Sequence, residues 1–205
     1  MLKFWELGPS PNNIKIRMAL RFKGIEFEAI ALDPSDRSEL VAESGQELAP
    51  VVADRGIVLN DSEAILQYLD ANYRDTPRLF PADRAGRKVC DAWKTELDRK
   101  VASVWLPIFL HAIGRADSFS EVQRKAYEDA LHWLEDQLGD GESFKGPEMP
   151  VCDLRVAEWA VYGLPGEGLI ERCRLFRRFK EHHAIATGSL PRLERFLEPW
   201  NERLA

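Results

Sequence analysis

The period of the apolar positions changes along the chain. Leu2-Lys3-Phe4-Trp5-Glu6-Leu7 alternates apolar and polar residues and carries bulky aromatics, the habit of a strand. After Pro11, the residues Ile14, Ile16, Met18, Ala19, Leu20 and Phe22 cover a broad helical face, and Gly24 stands where a C-terminal stop belongs; a helix is predicted from about Pro11 to Lys23. Ile25 to Leu32 is again rich in strand formers and closes at Asp33-Pro34. Strand, helix and strand in such short compass predict a βαβ unit with a parallel pair. Residues 34–47 are polar and irregular, with room for one helical turn around Glu39 to Glu43. Pro50-Val51-Val52-Ala53 and Gly56-Ile57-Val58-Leu59, separated by Asp54-Arg55, read as a hairpin. Asp61-Ser62 opens a helix carrying Ile65, Leu66, Leu69 and Tyr73, which the chain leaves at Asp75-Thr76-Pro77.

From about Asp83 the pattern is helical only. Val89, Trp93, Leu97, Val101 and Trp105 recur every fourth residue, predicting one long amphipathic helix that Pro107 should kink or end. Ser120-Glu121-Val122-Gln123 is a capping box opening a second helix, with Val122, Ala126, Ala130, Leu134 and Leu138 as its expected buried face. Gly139, Gly141, Gly146 and Pro147 mark a loop. Leu154 to Leu164 is apolar nearly all round apart from Arg155 and Glu158, as a helix at the centre of a bundle should be. Leu193, Phe196, Leu197, Trp200 and Leu204 form the last stripe, with Pro199 expected to disturb its end. The expected class is therefore α+β with two domains: a β-α-β-β-β-α unit over 1–76, a linker over 77–82 and an all-helical unit over 83–205.

Composition narrows the function. With 205 residues, 45% hydrophobic and 30% charged, the chain can bury a sizeable core. A net charge of -6 argues against a nucleic-acid partner, since no clustered basic footprint is present. The densest basic run, Arg172 to Lys180, is bracketed by Glu171 and Glu181 and reads as a solvated helix face. Three widely spaced cysteines, Cys90, Cys152 and Cys173, suit neither a disulfide framework nor a zinc site and fit a reducing compartment. No stretch reaches the roughly 18 apolar residues of a membrane span, so a cytoplasmic location is expected. The adjacent His182 and His183 would point to different helix faces, and no metal site is expected.

The chemistry concentrates at helix starts. Ser10 can cap the first helix through its side-chain oxygen, Pro11 suits the first helical position, and the free N–H groups behind them make a small anion site with a hydroxyl at its mouth. Asp61-Ser62 offers a second such end. Taken singly, each is also an ordinary helix start, and Pro50 an ordinary edge-strand proline.

Together with their order, three local sequences resemble the glutathione S-transferase superfamily over nearly the whole chain. Ser10-Pro11-Asn12-Asn13-Ile14-Lys15-Ile16-Arg17 is similar to the family's active-site turn and first helix, Ala49-Pro50 to its Val-Pro pair, and Asp61-Ser62-Glu63-Ala64-Ile65 to its Glu-Ser-x-Ala-Ile at the third helix. The resemblance implies a thioredoxin-like first domain and a serine-type transferase. It takes glutathione as co-substrate, needs no metal, and forms a homodimer. It further implies that Ser10, with Asn12 as the substitute candidate, addresses the glutathione sulfur. Ala49 and Pro50 hold the peptide backbone, and Asp61 and Ser62 seat the γ-glutamyl carboxylate. A small apolar electrophile is expected beside Pro9, with Trp105 and Phe109 on the inner face of the long helix; both are equally suited to being plain core aromatics.

The sequence also departs from the family pattern. Glu47 and Leu48 stand where a glycine and a Lys or Gln commonly precede the Val-Pro pair, and Asp61 is one methylene shorter than the usual Glu. Pro150 occupies the place of a capping Ser or Thr before Asp153, so the usual reciprocal box cannot form and Asp153 is expected to be structural. These changes keep open a second reading, a non-catalytic binding or regulatory protein on the same fold. Disulfide or dehydroascorbate reduction is disfavoured because neither position 10 nor 12 is Cys.

Overall fold

A computed structural model describes residues 1–8, 10–183, 185–186 and 188–204, and the chain falls into two units, Met1–Phe80 and Pro81–Ala205. The first is built on a four-stranded sheet ordered β2-β1-β3-β4, with β1 Leu2–Glu6, β2 Phe27–Ala31, β3 Val51–Asp54 and β4 Ile57–Leu59. β1 runs parallel to β2, Phe4 opposite Ala29, and antiparallel to β3, Phe4 opposite Val52. The expected parallel pair and hairpin are both present. The hairpin turns through Arg55 and Gly56 at φ 52° and 80°, the left-handed pair that a tight two-residue turn requires and that Gly56 makes cheap.

Three helices complete this unit: α1 Pro11–Phe22, α2 Ser38–Ser44 and α3 Ser62–Asn72. The element order is thus β-α-β-α-β-β-α, a thioredoxin-like domain, with α2 a full short helix inside the stretch expected to be irregular. Its signal is weak because Leu40 is the only residue of α2 that is buried. Leu40 meets Trp5 and Val51, and Trp5 Nε1 donates to Glu39 Oε1 at 3.0 Å, so α2 covers the Trp5 face of the sheet. Phe4 points the other way by strand alternation and is also fully buried. A buried ion pair closes the domain: Lys23 Nζ reaches Asp70 Oδ1 at 3.2 Å and the Pro77 carbonyl at 2.8 Å, while Asp70 accepts the Leu79 N–H at 2.7 Å.

The second unit is all-helical: α4 Arg84–Leu97, α5 Ser103–Ala112, α6 Glu121–Leu138, α7 Pro150–Ala160, α8 Glu167–Arg172, α9 Arg174–His183 and α10 Pro191–Leu204. A π-helical turn, Asp98–Ala102, joins α4 to α5 without a break. The chain also passes through Pro107 with the helix intact to Ala112. A proline ring clashes with the carbonyl four residues back, here Ser103, which lies at the junction with the π turn where the hydrogen-bond ladder is already shifted. Pro199 likewise lies inside α10, which continues to Leu204.

α7 is the centre of this unit, with Val151 to Glu158 all buried, Arg155 and Glu158 included; it starts at Pro150 and ends at Ala160, four residues ahead of the expected Leu154 to Leu164. Trp93 stacks on Phe144 and donates its indole N–H to the Cys152 carbonyl. The capping box at Ser120 is present, but the buried face of α6 is rotated from the expected one. Val122 is 78% exposed and Ala126 half-buried, whereas Tyr127, Leu131 and Glu135 turn inward beside Ala130, Leu134 and Leu138. Glu135 is buried because it caps α10, accepting the N–H groups of Leu193 at 2.6 Å and Arg192 at 3.1 Å. Burial alone would raise its pKa, yet these donors and the Arg192 guanidinium hold it below the usual carboxylate range.

Candidate functional site

Two helix starts of the first unit meet. Ser62, the first residue of α3, donates its hydroxyl to Asn12 Oδ1 in the first turn of α1 at 3.2 Å. One turn further in, the buried Lys15 pairs with Glu63 at 3.1 Å. Arg17 forks onto Glu6, its Nε 3.0 Å from Oε2, and ties α1 to the end of β1. Ser10, Asn12, Asp61 and Ser62 are thereby gathered at one place, where two sets of first-turn N–H groups supply partial positive charge.

At the N-cap of α1 the structure corrects an expectation. Ser10 has the extended backbone of a cap, φ −80° and ψ 145°, but its side chain makes no capping hydrogen bond. The Ser10 oxygen instead accepts from the Nδ2 of Asn13. Asn13 Oδ1 accepts the Leu7 N–H at 3.3 Å, and the side chain is 1% exposed. Nothing in the sequence set Asn13 apart from Asn12, since polar residues are common in a first helical turn.

At α3 the cap is regular. Asp61 Oδ1 accepts the Ala64 N–H at 2.8 Å, and Asp61 is exposed while Ser62 is buried. Ala49–Pro50 is a cis peptide directly before β3. Ala49 is half-buried, and its N–H and C=O have no hydrogen-bond partner among the described residues, so both remain available for strand-like pairing. Leu48 is 72% exposed, a large apolar side chain at the rim.

Of the residues expected to line a pocket for a second substrate, Pro9 lies outside the described residues. Trp105 is a core residue of the helical unit, 5% exposed, stacked on Phe109 at 4.5 Å and edge-on to Trp159 at 5.1 Å. Phe109 is half-buried and presents the outer side of that stack. Asp153 accepts the Phe144 N–H at 2.8 Å, the partner that takes the place of the missing box. Among the described residues no group of three or more His, Cys, Asp or Glu is placed to hold a metal, and no helix is long and apolar enough to cross a membrane.

A thioredoxin-like sheet domain whose first and third helices start side by side, followed by an all-helical unit, is the fold of glutathione transferases. Residues 8–77 match the family model described as glutathione S-transferase, N-terminal domain. A probable glutathione S-transferase from Solanum tuberosum is 28% identical over 166 residues, covering 78% of this chain and 72% of its own. The crystal structure of rice GST1 in complex with glutathione is 25% identical with a TM-score of 0.69, covering 99% of this chain and 86% of its own. The Tau class glutathione S-transferase from the mango Mangifera indica, 20% identical with a TM-score of 0.69, covers 97% of this chain and 87% of its own. The chain belongs to the glutathione S-transferase superfamily.

Proposed function

We propose that the chain is a glutathione transferase in which the Ser10 hydroxyl stabilises the glutathione thiolate for attack on an apolar electrophile. Fold and homology support glutathione-thiolate chemistry. The observation that carries the assignment to Ser10 is that its oxygen, free of the helix cap, only accepts among the described residues, which leaves its proton to donate. A free thiol has a pKa of about 8.5. One donated hydrogen bond plus the α1 N-terminus lowers it by about 2, about 2.7 kcal/mol in favour of the anion.

The rest of the peptide is assigned by charge and by free backbone. The γ-glutamyl carboxylate goes to the start of α3, to first-turn N–H groups and the Ser62 hydroxyl. Asp61, an exposed residue with one oxygen committed to the cap, is assigned to the ligand's ammonium. The free N–H and C=O of Ala49, held by Pro50, pair with the cysteinyl backbone. Ser62 gives its proton to Asn12 Oδ1; a carboxylate is the stronger acceptor and takes it over. Asn12 is the competing sulfur donor through its amide. Phe109, backed by Trp105, is assigned to the electrophile, and the protein to the cytoplasm as a homodimer without a nucleic-acid partner.

The test is conjugation of a chloronitrobenzene to glutathione, compared among the native chain, Ser10→Ala and Asn12→Ala. Loss with Ser10→Ala alone supports the assignment, and loss with Asn12→Ala alone transfers it to Asn12. The second reading, a binding protein without catalysis, draws on Glu47 and the exposed Leu48, which offer glutathione no side-chain donor at the usual place. Retention on immobilised glutathione without turnover would favour it.

A further inference from the structure

Asn13 uses both ends of its amide, and the direction of each hydrogen bond follows from chemistry alone. The Leu7 N–H can only donate, so the atom facing it is the carbonyl oxygen, Oδ1, at 3.3 Å. The Asn13 amide nitrogen must then face Ser10 Oγ, and it can only donate there. The serine oxygen is thereby an acceptor on its inner side, and its proton has to turn away from Asn13. Among the described residues no backbone donor fixes the amide of Asn12, whose Oδ1 accepts from the Ser62 hydroxyl.

Burial makes the arrangement stiff. Asn13 is 1% exposed, so breaking either bond leaves a polar group without water to replace it. Leu7 lies between β1 and the turn, and Asn13 in the first turn of α1. The side chain therefore clamps the strand end to the helix start and presents the Ser10 hydroxyl from that clamp.

We propose that Asn13 is a positioning residue: it holds the Ser10 oxygen as an acceptor and so aims the Ser10 proton outward, toward the glutathione sulfur. The inference rests on the assignment of Ser10 made above. An unclamped serine hydroxyl samples three staggered directions and can turn back to cap its own helix. Clamped by Asn13, Ser10 donates outward without first losing that alternative. A second donor attached to Oγ also polarises the hydroxyl and strengthens the bond it gives.

The test is a double-mutant cycle on the full chain, read as the pKa of bound glutathione from its thiolate absorbance in the ultraviolet. Asn13→Ala, Ser10→Ala and the double variant are compared with the native protein. In the Ser10 background Asn13→Ala raises the thiol pKa by about 1, a substantial part of the Ser10→Ala effect, while in the Ser10→Ala background it has no effect. An equal change in both backgrounds, or none in either, overturns the proposal, because a purely structural Asn13 has no reason to depend on the serine hydroxyl. If Ser10→Ala itself leaves the thiol pKa unchanged, the assignment of Ser10 fails, a result separate from failure of Asn13 alone. Should Asn13→Ala not fold, Asn13→Asp replaces it. Aspartate still accepts from Leu7 and lacks the donor, and its added charge acts in both backgrounds, so only the difference between them counts.

Discussion

Ser62 and Asn12 share a hydrogen bond of 3.2 Å that joins the first turns of α3 and α1. Its donor is the group assigned to the ligand carboxylate, so ligand binding exchanges one partner for another. Ser62→Ala is expected to weaken glutathione binding by about 10-fold to 100-fold, the range for a hydrogen bond to a charged group. Turnover at saturating glutathione should stay within a few fold, because the sulfur is assigned to Ser10 and not to Ser62. Calorimetric titration with steady-state rates separates the two effects.

Lys23 and Asp70 form an ion pair whose lysine side chain is fully buried and whose carboxylate is 7% exposed. Removing one partner strands the other charge. Lys23→Met is expected to cost about 3 kcal/mol of stability in urea unfolding, since among the described residues Asp70 keeps the N–H donors of Leu79 and Phe80 and no cation. Segment 75–80 should lose amide-exchange protection in the same variant, as the Pro77 carbonyl loses its lysine donor.

Two buried groups of the helical unit respond to acid in opposite senses. Burial pushes His183 down to about 4, helped by His111, Arg124, His182 and Arg178 around it. The unfolded chain therefore takes up a proton below its ordinary value of about 6.5 while the fold does not, so stability falls between about 6.5 and 4. Burial pushes Asp153 up to about 7 against the pull of the Phe144 N–H. The fold holds a proton that the unfolded chain releases, so stability rises as pH drops from about 7 to 4. Each amounts to about 3 to 4 kcal/mol at its limit, and the two largely cancel. Asp153→Asn should expose the acid sensitivity of His183, and His183→Gln should leave a protein more stable at pH 5 than at pH 7. Urea midpoints across that range decide it.

Cys90 and Cys152 lie 3.4 Å apart at Sγ, both buried, whereas Cys173 is half-buried. Burial raises both thiols of the pair above the usual range, so neither offers a thiolate at neutral pH. Iodoacetamide should label Cys173 alone in the native protein, and all three cysteines only in denaturant. Mass mapping of the peptides reads this directly.

Much of this could be read from the sequence. The parallel pair, the hairpin, both helix starts and the Ser120 box follow from local patterns, and Ser10, Asn12, Asp61 and Ser62 do come together. What escaped depends on partners distant in sequence. Glu135 reads as a solvent residue until Leu193 and Arg192 arrive 58 and 57 positions later to need it. α2 shows a single buried residue because its contribution is to cover Trp5. Asn13 looks like any polar first-turn residue until the bend at Leu7 brings a backbone N–H to it.

The π-helical turn at Asp98–Ala102 gives the spacing of the long helix a meaning. Apolar residues four apart advance about 40° beyond a full circle at each step of an ideal α-helix, so a strict series soon winds off its face. Val89, at the start of the series, is 42% exposed, whereas Trp93, Leu97, Val101 and Trp105 are all buried. One wider turn lets the helix fall back by the angle the series has gained. The repeat of four is thus the imprint of an inserted residue, and deleting one residue within 98–102 would turn Trp105 out of its aromatic cluster, and Ile108 out of the core, by about 100°.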